Sequence, residues 1–340
     1  MKVNNIHYRS LWIEGDTVCM IEQNLLPFQF KIHKCKNIYQ TCDAIRTMIV
    51  RGAGSIGAAG GYAMLQAIYQ NKDNQKLVTE LEQAKQTIDS TRPTAVNLFY
   101  ATNRVLAAAK ISKEYAISEA LAIADECVEQ SKQIGIHGNS LIKDGYNIET
   151  HCNAGWLALV DYGSALSPVY TAFDNGKKIF VFVDETRPRL QGMRLTAWEL
   201  KQHGVPHAII PDNAGAFYMS KKKIDMVIVG ADRIAANGDT ANKIGTLEKA
   251  IAAKYYGIPF YVAAPSSTFD MNTKNGNDII IEERDENEVL YCLGNTAENK
   301  LEEVFISNSG SNALNPAFDI TPAELITGYI TEKGIRSQLL

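Results

Sequence analysis

The stretch DMVIVGAD, residues 225–232, decides the fold class, because a short run of apolar side chains leads into a glycine and ends on an aspartate. Similar short apolar segments recur after about Asn147. They are NIETHC (147–152), KKIFVFVD (177–184), HAIIPD (207–212) and PFYVAAP (259–265). A helix-compatible segment separates each of them from the next. Buried strands that alternate with helices are typical of a parallel sheet covered on both faces, so we predict an α/β fold with parallel winding.

The residues before Asn147 follow a different pattern. YRSLWIEG and DTVCMIEQ alternate polar and apolar residues around Gly15 and Asp16, which predicts a hairpin with one face on a core. From Thr41 the pattern becomes helical, with a polar stretch before Ser90. The predicted helices cover residues 41–50, 56–70, 95–110 and 112–141. We therefore predict an N-terminal domain, residues 1–141, and an α/β domain, residues 142–340.

Composition excludes several classes of function. The chain has 340 residues, a length that favours two domains, and 46% of them are hydrophobic. Its net charge of -4 gives no basic surface for nucleic acid. No apolar run approaches the roughly 20 residues that cross a bilayer, and MKVNNIHYRS has no apolar signal core. We expect a cytoplasmic protein that contacts neither nucleic acid nor a membrane.

Cysteine and histidine spacing argues against a metal. The six cysteines and six histidines form no CxxC, HxxxH or HExxH pattern. His151 and Cys152 are adjacent, but the chain supplies no obvious further ligands for a metal at that position. We expect chemistry without a metal or a cofactor.

The ends of the predicted strands select the candidate site. Loops at the carboxyl ends of parallel strands converge on a crevice where ligands bind. The residues selected by this rule are Cys152, Asp184 with Glu185, Asp212 with Asn213, Asp232, and Pro265 with Ser266.

Two of these residues could carry chemistry. Asp232 emerges from a fully apolar strand, where partial desolvation raises a carboxyl pKa and lets the group hold or deliver a proton. A helix cap or an ion pair with Arg233 is the alternative. Cys152 faces the crevice and is followed by the small residues Ala154 and Gly155, which favours a usable thiol over an inert buried cysteine. Asp184 and Glu185 could equally belong to a surface salt-bridge network.

Other residues suggest a phosphate site. RGAGSIG, residues 51–57, is a glycine-rich turn that opens a helix, where backbone amides and Arg51 can approach an anion. The preceding segment is predicted as helix, which excludes a dinucleotide site. Arg92 also lies at a helix entrance, although a structural arginine is the commoner explanation. Gln191 could donate to a sugar or phosphate, and Lys243 at a helix start is unfavourable unless an anion binds there.

Six stretches together resemble the methylthioribose-1-phosphate isomerases of methionine salvage. They are RGAGSIG, TRPTAVN, HCNAG, DETRPRLQGMRLTAWEL, GADRIAANGDTANKIGT and IPFYVAAPSSTFD, and the resemblance spans nearly the whole chain. The same superfamily contains ribose-1,5-bisphosphate isomerases, deoxyribose-type 1-phosphate isomerases and regulatory subunits of the translation-initiation exchange factor. The resemblance implies a small N-terminal domain, a Rossmann-like doubly wound C-terminal domain and a homodimer.

The resemblance also implies roles for individual residues. Cys152 and Asp232 are the catalytic pair. The residues implied to hold the phosphorylated sugar are Arg51, Gly52, Ala53, Arg92, Gln191, Asn242 and Lys243. The implied reaction converts 5-methylthio-α-D-ribose 1-phosphate to 5-methylthio-D-ribulose 1-phosphate.

Two alternatives stay open. One is isomerisation of 5-deoxyribose 1-phosphate or ribose 1,5-bisphosphate, since Gly54 and Ser55 stand where the family more often has Pro-Ala, in a loop that helps line the site. The other is a regulatory subunit that only senses sugar phosphates or nucleotides. Retention of both Cys152 and Asp232 argues against the second.

Overall fold

The N-terminal part combines small antiparallel sheets with helices. The structure is a computed structural model that describes residues 1–93 and 95–337; Thr94 of TRPTAVN and residues 338–340 of the predicted C-terminal domain lie outside it. The strands of this part are β1 (Lys2–Val3), β2 (Ile6–His7), β3 (Leu11–Glu14), β4 (Thr17–Ile21) and β5 (Ile32–Cys35). Its helices are α1 (Ile38–Arg46), α2 (Ala53–Gln70), α3 (Leu77–Asp89), α4 (Val96–Ala109) and α5 (Lys113–Asn139), with a 3-10 turn at Asn74–Lys76.

The predicted hairpin is present. β3 and β4 pair antiparallel with Glu14 opposite Thr17, so Gly15 and Asp16 form a two-residue turn, and Gly15 adopts a φ of +63°. The sequence did not predict β5, which adds a third strand beside β4. It also left α3 as a polar stretch, because the only apolar side chains that this helix buries are Leu77, Leu81 and Ile88.

Glycines bring α2 close to α4. A Cβ atom on Gly60 would lie 2.6 Å from Leu98 Cδ1, and one on Gly57 would lie 3.0 Å from the Asn97 carbonyl oxygen. A side chain at Gly57 therefore requires the α4 backbone to shift, and one at Gly60 requires the Leu98 side chain to move. The glycine-rich segment serves helix packing along its length, and only its first residues face the site described below.

The C-terminal part contains the long sheet. Its strands are β6 (Asn147–Thr150), β7 (Phe180–Asp184), β8 (His207–Ile210), β9 (Met226–Val229), β10 (Arg233–Ala235), β11 (Thr240–Lys243), β12 (Phe260–Ala263), β13 (Phe269–Asp270), β14 (Tyr291–Asn295), β15 (Leu301–Phe305), β16 (Phe318–Thr321), β17 (Gly328–Thr331) and β18 (Gly334–Arg336). Its α-helices are α6 (Leu166–Asp174), α7 (Ala197–His203), α8 (Gly215–Ser220), α9 (Thr246–Tyr256) and α10 (Asn287–Leu290). Short helical turns cover Gly192–Thr196, Asp212–Ala214, Ser266–Thr268, Gly276–Asp278 and Ala323–Leu325.

The strand order confirms the predicted fold class. In the described part of the chain, a seven-stranded sheet has the order β18-β17-β12-β9-β6-β7-β8, and all neighbours are parallel except β17 and β18. Numbered along the chain, the parallel strands run 3-2-1-4-5-6 across the sheet, the doubly wound Rossmann order. The winding changes direction between β6 and β9. That switch point is where the fold places ligands.

A second sheet follows the switch point. β10 and β11 pair antiparallel directly after β9, and β13 and β16 flank them in the order β13-β10-β11-β16. β14 and β15 form a separate hairpin. The sequence analysis predicted neither feature, because their short strands lack the long apolar runs of the central sheet. In residues 1–93 and 95–337, none of the helices combines the length and apolarity needed to span a bilayer.

Candidate active site

Cys152 and Asp232 lie at the two strand ends that flank the switch point. Cys152 follows β6 and Asp232 follows β9, and these strands are neighbours with Ile148 opposite Met226. Both residues line a cavity of about 360 Å³ and a smaller adjoining one of about 50 Å³. The topology therefore brings a buried thiol and an exposed carboxyl group from distant parts of the chain to the same cavities.

The other candidate residues surround the same two cavities. The larger cavity is lined by Arg51, Gly52, Ala53, Arg92, Cys152, Gln191, Asp232 and Lys243. The smaller one is lined by Arg51, Gly52, Ala53, Cys152, Asp232 and Asn242. All nine candidate site residues therefore line one or both of these cavities. Arg92, predicted at a helix entrance, lies four residues before the first residue of α4, Val96.

The backbone of Cys152 is held in an unusual conformation. Its φ of +64° lies in the left-handed region, which costs a non-glycine residue about 1 to 3 kcal/mol and is found mainly at functional sites. The Cys152 amide donates to Thr186 Oγ1 at 2.9 Å, and its carbonyl accepts from Thr196 Oγ1 at 2.7 Å. Burial raises the pKa of the Cys152 thiol, and the charges of Arg51 and Lys243 act against this rise. These contacts fix the direction of the thiol.

Asp232 is hydrogen-bonded to the second sheet through its backbone. Its backbone amide donates to the Ala241 carbonyl at 2.9 Å. The Asp232 side chain is exposed on the cavity wall, and the protein packed around it raises the pKa of its carboxyl group by desolvation, while the charges of Lys243, Arg51 and Arg92 lower it. The net direction is upward, so the site favours a carboxyl group that keeps its proton more readily than an exposed aspartate does.

Arg51 and Lys243 supply positive charge to the cavities. Arg51 donates to the Asn153 side-chain oxygen at 2.6 Å and to the Asn153 carbonyl at 3.0 Å. Lys243 donates to the Ala317 carbonyl at 2.8 Å and lies over the Phe318 ring, and burial lowers its pKa. Within the part of the chain that the structure describes, neither cation has a carboxylate within 4.0 Å. A buried lysine and a half-buried arginine without carboxylate partners are suited to an anion.

The start of α2 adds backbone donors at the same place. Gly52 precedes the helix with a φ of +88° and makes no side-chain cap. A Cβ atom at this position would lie 2.4 Å from Ala158 Cβ, so glycine is required there. The first amides of a helix lack partners within it, and the helix dipole favours negative charge at this end. The terminus of α2 can therefore bind a phosphate with Arg51.

The remaining arginines near the cavity are balanced by carboxylates. Arg189 donates to Glu288 Oε1 at 2.8 Å, and Arg284 donates to both oxygens of Glu288. Arg92 lies 4.0 Å from Glu282. The sequence analysis assigned no role to Glu282, Arg284 or Glu288. The charge-dense segment IEERD, residues 281–285, was the signal that could have drawn attention to them.

Asp184 belongs to a buried cluster behind Cys152, so of the two interpretations that the sequence left open for it, the surface salt-bridge network does not hold. Its side chain is fully buried, lies 2.9 Å from His151 Nδ1 and is 3.4 Å from Lys249 Nζ. His151, Asp184 and Asp212 present possible metal-ligand atoms within 4.8 Å of one another. The Lys249 ammonium group, which also donates to the Asp212 carbonyl, already supplies the positive charge of this cluster. The cluster is explained as a buried polar network with Lys249 as its cation.

Glu149 gives this cluster a pH-dependent stability. The residue is fully buried, and this burial raises the pKa of Glu149 to about 8. Between pH 4.5 and 8 the folded chain keeps a proton that the unfolded chain releases, so the free energy of unfolding falls as pH rises through this window. Glu149→Gln is expected to lack this loss, which amounts to about 3 to 5 kcal/mol. Urea unfolding at pH 5, 7 and 9 measures it.

The control for this prediction is Glu82→Gln, on the exposed face of α3. Its unfolding free energy should follow the parent protein at every pH. A Glu149→Gln curve parallel to that of the parent would show that Glu149 does not carry the predicted proton.

Fold and site together define a class. A Rossmann-like domain with a thiol, a carboxyl group and an anion-binding helix N-terminus at one cavity is an α/β enzyme for a small phosphorylated substrate.

Residues 49–338 match the model of the initiation factor 2 subunit family. The methylthioribose-1-phosphate isomerase of Chloroflexus aurantiacus is 50% identical, over 96% of this chain and 94% of that protein. The enzyme of that name from Thermosipho africanus is 49% identical, over 94% and 92%.

Solved structures agree with these matches. The 5-methylthioribose 1-phosphate isomerase from Pyrococcus horikoshii OT3 superimposes with a TM-score of 0.87 and 41% identity, over 97% of this chain and 92% of that one. The structure described as translation initiation factor eIF-2B, subunit delta, from A. fulgidus gives 0.84 and 40%, over 97% and 96%. The chain belongs to the initiation factor 2 subunit family and, within it, to the methylthioribose-1-phosphate isomerases, as the motifs predicted.

Proposed function

We propose that this chain is an aldose-ketose isomerase that converts 5-methylthio-α-D-ribose 1-phosphate to 5-methylthio-D-ribulose 1-phosphate in methionine salvage. The observation that carries the proposal is the shared cavity of Cys152 and Asp232, with Arg51 and Lys243 free of carboxylate partners among the described residues. The names of relatives about 50% identical support the same reaction.

The chemistry requires an acid because phosphate on the C1 oxygen blocks the free aldehyde of the sugar. Asp232 donates its proton to the ring oxygen, and the C1–O bond of the ring breaks. A hydrogen then moves from C2 to C1, either as a proton that Cys152 removes and returns or as a hydride. The C2 hydroxyl group gives its proton to the Asp232 carboxylate as C2 becomes the ketone, which restores the protonated Asp232. Each step of general acid or base help contributes about 10² to 10⁴ in rate. Reaction in deuterated water separates the routes, because only proton transfer puts label at C1 of the product.

The phosphate contacts follow from the charge distribution. Arg51, the Gly52 and Ala53 amides and Arg92 hold the phosphate, together with Lys243. Gln191 and Asn242 hold the sugar. Arg51 and Lys243 stand without carboxylate partners among the described residues and are assigned to the dianion first, and Arg92, which lies 4.0 Å from Glu282, adds a third positive charge.

Lys243→Met is expected to raise KM for the sugar phosphate about 10- to 100-fold, since one charge-assisted hydrogen bond contributes about 1.5 to 3 kcal/mol. Steady-state kinetics and competition by inorganic phosphate measure the change. Lys221→Met, at an exposed position after α8, is the matched control and should leave KM unchanged. An unchanged KM in Lys243→Met would remove this lysine from the phosphate site.

The lining of the larger cavity favours an apolar 5-substituent over a second phosphate. Its apolar side chains include Met48, Ile56, Val96, Ile279 and Phe318. The arginines that could take a second phosphate, Arg189 and Arg284, are already bonded to Glu288. An apolar 5-substituent therefore fits this cavity better than the second phosphate of ribose 1,5-bisphosphate.

The test is a parallel assay of the purified protein against 5-methylthioribose 1-phosphate, 5-deoxyribose 1-phosphate and ribose 1,5-bisphosphate. The expected result is the highest kcat/KM for the first. Failure to isomerise any pentose 1-phosphate would overturn the proposal and favour a regulatory subunit that only binds sugar phosphates or nucleotides.

The working form that we propose is a cytoplasmic homodimer without a cofactor. Exposed apolar side chains on α9 and on α8, which packs against it, support a surface for a second copy. They include Phe217, Ile251 and Tyr255. Analytical ultracentrifugation of the purified chain tests the dimer, and a monomer at micromolar concentration would contradict it.

A further inference from the structure

His151 lies between two hydrogen-bond acceptors in the interior. Its side chain has no exposed surface, with Nδ1 2.9 Å from Asp184 Oδ2 and Nε2 2.8 Å from the Ile244 carbonyl oxygen. A carbonyl oxygen only accepts, so Nε2 must carry a hydrogen. A neutral imidazole has a single N–H, so Nδ1 must then accept from a protonated Asp184. Burial lowers the pKa of His151 to about 4 and raises the pKa of Asp184 well above its usual range, which agrees with this arrangement.

The two segments that this ring joins are the ones that carry the proposed chemistry. His151 directly precedes Cys152, and Ile244 directly follows Lys243. The strand before Ile244 also holds Asp232, through the bond from the Asp232 amide to the Ala241 carbonyl. One hydrogen bond to Ile244 therefore connects the thiol to the segment that positions the carboxyl group and the ammonium group.

Packing prevents the ring from relaxing. Gly245 adopts a φ of +99°, and a Cβ atom there would lie 3.1 Å from His151 Cε1 and 3.2 Å from Nε2. The imidazole ring therefore packs directly against the backbone of Gly245. His151 borders the smaller cavity, but its ring nitrogens are both engaged and its side chain is closed to solvent. It can act on a substrate only through its neighbours.

We propose that His151 is a positioning residue, whose Nε2–H bond to the Ile244 carbonyl sets the separation between the Cys152 thiol and the Asp232 and Lys243 side chains. This inference rests on the proposed isomerase function. A misplacement of reacting groups by about 1 Å can lower a rate about 10²-fold without removing any catalytic group. The role is therefore expected to appear in kcat.

A pair of substitutions tests the bond. The side-chain amide of Gln reaches the position of Nε2, whereas that of Asn reaches only the position of Nδ1. His151→Gln should keep kcat within about 10-fold of the parent, and His151→Asn should lower it about 100-fold, with KM within about threefold in both. A merely structural role would lower both variants alike. Equal kcat values in the two variants, or an effect confined to KM, would overturn the proposal.

The parent protein provides an independent measurement. Nitrogen-15 NMR of the His151 ring, assigned by the loss of its signals in His151→Gln, should show a neutral ring with the hydrogen on Nε2 between pH 6 and 8. A hydrogen on Nδ1 would overturn the proposal even if both variants failed to fold. Absence of isomerase activity in the parent protein, with the NMR signature intact, would instead be a failure of the proposed function.

Discussion

Cys152→Ser is expected to lower kcat by about 10² to 10⁴, the contribution of one general acid or base. Serine is nearly isosteric and can adopt the same backbone conformation, so the bonds of Cys152 to Thr186 and Thr196 should persist. Its hydroxyl group, however, does not ionise near neutral pH. The variant should therefore bind inorganic phosphate as the parent does and turn over far more slowly, as steady-state kinetics and calorimetry would measure.

The control for this prediction is Cys292→Ser, in the β14 strand and outside both cavities. It should retain the kcat of the parent protein. A fully active Cys152→Ser variant would remove the thiol from the reaction, and loss of phosphate binding would point to a damaged site.

Asp232→Asn should lower kcat by a similar factor of about 10² to 10⁴, because an amide has the shape of the carboxyl group but no proton acid enough to donate. The raised pKa of Asp232 adds a signature in pH. Since the protonated form is the active one, kcat/KM of the parent should fall as pH rises through this pKa. Asp232→Asn should lose that descending limb, which a pH-rate profile detects.

Asp174→Asn is the matched control, since Asp174 lies at the exposed end of α6. Its profile should coincide with that of the parent. A descending limb that survives in Asp232→Asn would assign the ionisation to another group. Activity in the double variant of Cys152 and Asp232 would refute the whole assignment of the site.

Cys152 and Asp232 also matter for separating the function of this chain from its fold. A structure 40% identical to this chain is described as an initiation factor subunit, whereas another at 41% is described as an isomerase. Overall similarity does not distinguish the two descriptions, since folds of this kind host unrelated functions. The distinction must come from a site, and here the thiol and the carboxyl group share one cavity.

Part of the architecture could be predicted because apolar periodicity reports burial directly. The run before Asp232 is buried on both faces of the sheet, the run before Asp184 is buried on one face and half-buried on the other, and the alternation around Gly15 marks a hairpin. Helix α3 was missed because its buried stripe is narrow. The boundary at 141 and 142 stays a prediction, although it falls between the end of α5 and the start of β6.

The sequence by itself determined the parallel winding and the kinds of chemical group at each strand end, because local apolar runs and residue types do not depend on distant partners. Only the tertiary structure decided that β6 lies beside β9, that Arg189 is bonded to Glu288 while Arg51 is not, and that His151 links two segments of the site. Those outcomes depend on long-range packing. Coulomb energies and pKa values follow from separation in space and from burial, and spacing along the chain specifies neither.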